Sequence, residues 1–104
     1  MLIQVTTKNF SDIIFNSKQT VLLSFLSSDK ETAKKQKDTL HQFALQNPHI
    51  LVANIDSEKE LSLVTMYKSS PVGIPSVKVF KNGRCIASED GILSQQELLQ
   101  FVSK

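Results

Sequence analysis

The chain is short of sulfur, of glycine and proline, and of net charge. Of its 104 residues one is cysteine, Cys85, none is tryptophan, and three each are glycine and proline. One thiol excludes an internal disulfide and any dithiol centre, because both need two sulfurs in one molecule. The scarcity of glycine and proline leaves no linker, and no repeat or low-complexity tract interrupts residues 1–104, which are expected to form one domain. No apolar run approaches the ~18 residues of a membrane span. The opening MLIQVTTKNF lacks a basic region followed by an apolar core, so a cytoplasmic protein with no membrane partner is expected. Twelve Lys and Arg against ten Asp and Glu leave a formal charge of +2, too weak a field to argue for nucleic acid. His41 and His49 have no cysteine or carboxylate at ligand spacing, so neither a metal nor another cofactor is expected.

What is present is an alternation of strand and helix signals. LIQV (2–5), VLLSFL (21–26), ILVANI (50–55), SVKVF (76–80) and RCIAS (84–88) read as strands. Thr7 is placed to cap a short helix whose Phe10, Ile13 and Ile14 form one stripe. Ser28 with Glu31 spells a capping box for a helix to about Gln46, with Ala33, Leu40, Phe43 and Ala44 inward. Ser57 with Glu60 repeats the pattern before Leu61 and Val64. Ser94 with Glu97 does so again before Leu98, Phe101 and Val102, with Leu93 and Leu98 spaced as a hydrophobic staple. Asn82-Gly83 between two alternating runs is a hairpin signal, since a type I′ turn needs positive φ at both positions. The order is β α β α β α β β α: an α/β domain with a central mixed β-sheet, parallel among its early strands and antiparallel at the hairpin.

These pieces, TTKNFSDII, VLLSF, VANID, GIPSVKVFKNG and DGILSQQELLQFV, resemble the thioredoxin family in order and over nearly the whole chain. The resemblance implies the thioredoxin fold, with a cis peptide bond before Pro75. It also puts the family's Trp-Cys-Gly-Pro-Cys motif on Asp29, Lys30, Glu31, Thr32 and Ala33, where both cysteines are missing. The family's buried acid falls on Ser24 and its lysine partner on Val52. Without a low-pKa thiolate at the helix N-terminus and a second, resolving thiol, dithiol exchange is not expected. The segment between Asp56 and Pro75 is longer than in a compact family member, so Lys68-Ser69-Ser70-Pro71 is expected to widen a loop.

The remaining candidates have plainer readings. Cys85, on the hairpin's second strand, reads as a small buried hydrophobe. Lys30, Lys34, Lys35 and Lys37 are interleaved with acids, and the Glu31–Lys35 and Lys34–Asp38 spacings favour a solvated helix face over a nucleic-acid surface. Ser27 and Ser28 invite comparison with glutathione-binding serines, but a cap accounts for Ser28. The reading for function is a redox-inactive thioredoxin-like domain that binds a peptide or protein through Ser28, Asp29, Lys30, Glu31, Thr32, Ile74, Pro75 and Gly91, as a monomer or weak homo-oligomer. The backbone of Ile74 would bond an extended peptide. Residual thiol-disulfide or glutathione-linked chemistry and a structural role in a complex are the alternatives.

Overall fold

Successive leucines in VLLSF can both be buried only if their strand is covered on both faces, because neighbouring side chains point to opposite sides. In the computed structural model, which describes residues 2–67 and 75–103, that is the arrangement. The strands are β1 (Leu2–Gln4), β2 (Thr20–Phe25), β3 (Ile50–Ile55), β4 (Ser76–Lys81) and β5 (Arg84–Asp90). They form one sheet in the order β1-β3-β2-β4-β5. β1 and β2 run parallel to β3, whereas β4 is antiparallel to both β2 and β5. The helices are α1 (Lys30–Gln46), α2 (Leu61–Tyr67) and α3 (Gln95–Val102), with a π-helical turn at Ser11–Phe15 after β1.

Leu22 joins Leu40, Phe43, Val79, Leu98 and Phe101 beneath α1 and α3. Leu23 joins Phe10, Ile14, Phe25, Val64 and Phe80 under the π-helical turn and α2. The α/β class with a central mixed sheet is thus the observed one. Asn82 and Gly83 turn the β4–β5 hairpin with φ of 53° and 78°, the two positive values the turn demands. Ser94 and Glu97 form the expected capping box of α3, with Leu93 and Leu98 both buried.

Three local expectations are corrected. Among the described residues the first helical segment has no side-chain cap, from Thr7 or any other: the turn before it is closed by the Thr6 amide donating to Asn9 Oδ1 at 2.7 Å, while the Thr7 amide reaches Glu60 Oε1 at 3.1 Å. Ser57 is 2% exposed and its hydroxyl donates to the Leu26 carbonyl at 2.8 Å. It ties two strand ends together, and Asp56 serves the turn instead by accepting from the amides of Glu58 and Lys59. Cys85 is exposed, not buried. β5 is an edge strand, and a bulge where Val79 pairs with Ala87 but Phe80 with Cys85 turns that thiol outward. Among the described residues no helix is long and apolar enough to cross a membrane.

Candidate functional site

The strand register brings three loops side by side at one end of the sheet. Phe25 pairs with Ser76 and Ser76 with Asp90. The loop after β2, the residue before β4 and the residue after β5 are therefore neighbours across strands ~4.8 Å apart. Gly91, at φ 101°, sends its amide to the Pro75 carbonyl at 2.7 Å and locks two of the three loops together. Ile74 and the bond joining it to Pro75, with the Lys68-Ser69-Ser70-Pro71 loop, lie outside the described residues.

The β2–α1 loop is shaped by short polar contacts. The helix cap is Asp29, not Ser28: its carboxylate accepts from the Thr32 amide at 2.9 Å and from the Thr32 hydroxyl at 2.6 Å. Serine and aspartate are comparable caps, and a carboxylate adds a favourable charge interaction with the positive end of the helix dipole. The Thr32 hydroxyl, then its amide, hold the Asp29 carboxyl below its ordinary value of 3.8, with a smaller contribution from Lys35. The Asp29 amide in turn donates to Ser27 Oγ at 3.1 Å. Lys30, Glu31 and Thr32 form the first turn, so the position resembling the family's nucleophile carries an exposed ammonium and the resolving position, Ala33, carries a methyl. Neither can take part in thiol exchange.

Sequence reasoning missed the residue that holds this loop. Gln36 is only 4% exposed. Its Oε1 accepts from the Ser27 amide at 2.8 Å, and its Nε2 faces Ser24 Oγ and the Phe25 carbonyl at 3.5 Å each. The signal was its place four residues before Leu40 and seven before Phe43, on the apolar stripe of α1. Ser24, 1% exposed, and the fully buried Val52 stand where the family's charged pair is implied, so an uncharged amide and hydroxyl fill the space beneath the loop.

On the side facing Gly91 this packing leaves about 10 Å³ between Ser24, Gln36, Val77 and Leu93, too little for a ligand. The open side is the other one. A groove of about 440 Å³ runs between the first two turns of α1 and the 56–59 turn. Ser28 and Lys30 of the expected surface line it together with Lys34, Lys37 and Lys59, whereas Pro75 and Gly91 do not. The i,i+4 spacings do not close into ion pairs: no hydrogen bond or ion pair joins Lys30, Lys34, Lys37 or Lys59 to a carboxylate among the described residues. Cys85 pairs with Phe80, four residues along β4 from Ser76, which puts the thiol roughly 13 Å down the sheet from this end. No group of three His, Cys, Asp or Glu side chains suited to a metal ion occurs among the described residues.

A five-stranded mixed sheet in this order, with a proline before the fourth strand and a strand-to-helix loop beside it, agrees with the comparisons to known proteins. The family model described as Thioredoxin matches residues 1–104. A protein named Thioredoxin from Buchnera aphidicola subsp. Baizongia pistaciae is 27% identical over 103 residues, covering 98% of this chain and 93% of the relative. One of the same name from Chlamydia trachomatis serovar D is 25% identical over 100 residues, covering 96% and 94%. With its single cysteine placed outside the strand-to-helix loop, the chain belongs to the thioredoxin family.

Proposed function

We propose that this chain is a redox-inactive member of its family that binds a protein or peptide partner through the surface running from Ser28 to Thr32 and across Ile74, Pro75 and Gly91. It acts in the cytoplasm, without a cofactor, as a monomer or weak homo-oligomer. The observation that carries this reading is the state of the β2–α1 loop. Asp29 and Thr32 satisfy the helix N-terminus where a thiolate would sit, and Gln36 holds the loop from behind. A loop that has lost its reactive groups and is still braced by a buried amide is suited to presenting a fixed shape. Backbone bonding of an extended segment beside Pro75 needs no particular side chain at Ile74, so the loss of cysteine does not touch it.

The test has two arms. Reduction of insulin by dithiothreitol, followed as turbidity, should run no faster with the protein than with its Cys85→Ala variant, and clear turnover above that control refutes redox inactivity. Proteins retained by the immobilised chain should be lost by a Thr32→Arg/Ile74→Arg variant that keeps its fold. Equal retention by both forms removes this surface from the account.

A further inference from the structure

We propose that the groove between α1 and the 56–59 turn takes an extended acidic segment of a protein partner. This rests on the reading that this end of the sheet binds protein, and adds the chemistry of the bound segment. Lys30, Lys34 and Lys37 lie within about 60° of arc on α1, rising ~6 Å and then ~4.5 Å along its axis. Lys59, on the 56–59 turn, lines the groove with them, and Leu26 and Ala33 add apolar surface to the lining. Four ammonium groups against Asp56 and Glu58 give the groove an excess of two positive charges, as large as that of the entire chain. Asp56 is turned into its own loop by the amides of Glu58 and Lys59. Glu31 and Asp38 do not line the groove. The balance of charge along α1 is thus undone by folding: three of its four lysines share one face, and Glu31 and Asp38 fall elsewhere.

An extended chain carries the side chains of one face every ~6.6 to 6.8 Å, so acids at alternate positions meet successive lysines of this row. A small anion would engage one or two of them and leave the ~10 Å row mostly unused. A single-stranded nucleic acid is disfavoured because no aromatic side chain lines the groove to stack a base and two carboxylates face the would-be backbone. The apolar lining from Leu26 and Ala33 and the exposed carboxylate of Glu58 suit a peptide of mixed character.

The probes are three fluorescein-labelled heptapeptides alternating Ser with Glu, Gln or Lys, and a seven-nucleotide thymidine oligomer. Binding is read by anisotropy at low salt and located by amide chemical shifts. The Glu peptide should bind at least about tenfold more tightly than the Gln peptide, with shifts confined to residues 26–37 and 56–59 and weakening as salt is raised. Lys34→Glu/Lys37→Glu should lose about tenfold, since each exposed contact is worth a small factor and reversal adds repulsion. Lys34→Gln/Lys37→Gln should lose less. Lys18→Glu/Arg84→Glu makes the same change in net charge on other parts of the surface and should change affinity less than about twofold. Equal losses in the two Glu variants, equal binding of the Glu and Gln peptides, or tighter binding of the oligonucleotide each overturn the proposal. Binding of the Gln peptide with shifts at Ser76 and Gly91 overturns the acidic preference and leaves the proposed function standing, whereas failure of every peptide overturns the acidic-segment proposal and leaves the proposed function to the retention experiment.

Discussion

Truncating Gln36 to alanine tests whether one buried amide holds the β2–α1 loop. The side chain makes one good hydrogen bond, from the Ser27 amide at 2.8 Å, and two long contacts at 3.5 Å to Ser24 Oγ and the Phe25 carbonyl. Ser24 is 1% exposed, so its hydroxyl would be left in a dry site, whereas the half-buried Ser27 amide could recruit water. An orphaned buried polar group costs about 1 to 3 kcal/mol, and the better helix propensity of alanine returns a few tenths, so a net loss of about 2 kcal/mol follows. For a domain near this size that lowers Tm by roughly 10 °C. Urea unfolding should show a lower midpoint at unchanged slope, with faster amide exchange at Ser27. Lys35→Ala, on the exposed face one residue earlier, should stay within about 0.5 kcal/mol. Gln36→Leu separates the causes: it restores volume but not hydrogen bonds, and should remain destabilised. A Gln36→Ala protein within about 0.5 kcal/mol of the parent, or a leucine variant that recovers full stability, would refute the bracing role.

Other perturbations have equally direct readouts. The carboxyl of Asp29 is held below 3.8 in the folded chain, so its contribution to stability is present above that value and is lost as pH falls through the folded one. The stability gap between the parent and Asp29→Ala should therefore be full at neutral pH and close in acid below about pH 4, and a gap independent of pH would show that the cap does not depend on the charge. Cys85, exposed on the edge strand, should react with a thiol reagent such as dithionitrobenzoate at the rate of an unfolded control within about tenfold, without denaturant. Protection until unfolding would contradict the bulged register. A Cβ on Gly91 would meet no atom within 4 Å, so Gly91→Ala isolates the cost of φ 101° and should destabilise by about 1 to 2 kcal/mol. A neutral result in thermal unfolding would mean that this backbone angle relaxes freely.

Where the sequence spoke clearly, the determinant was local. Two consecutive leucines need two covered faces, Asn82-Gly83 permits two positive φ values in a row, and Ser94 with Glu97 closes a box within a single turn. Each of these depends on residues a few positions apart, so the α/β class, the strand order along the chain and the hairpin were legible, as was the absence of a second thiol. The tertiary structure decided whatever needed a partner distant in sequence. Ser28 and Asp29 are both good caps, and the choice fell to Asp29 where Gln36 holds the Ser27 amide and Ser27 in turn receives the Asp29 amide. Ser57 looked like a cap until folding offered it the Leu26 carbonyl, 31 residues away. Cys85 faces water because β5 is at the sheet edge and bulges, neither of which its own neighbours encode. The lysines of α1 read as a balanced charged helix in one dimension. Lys30, Lys34 and Lys37 became one wall of a cationic groove only when β3 delivered the 56–59 turn opposite them, since a helix has no groove until a second element stands beside it.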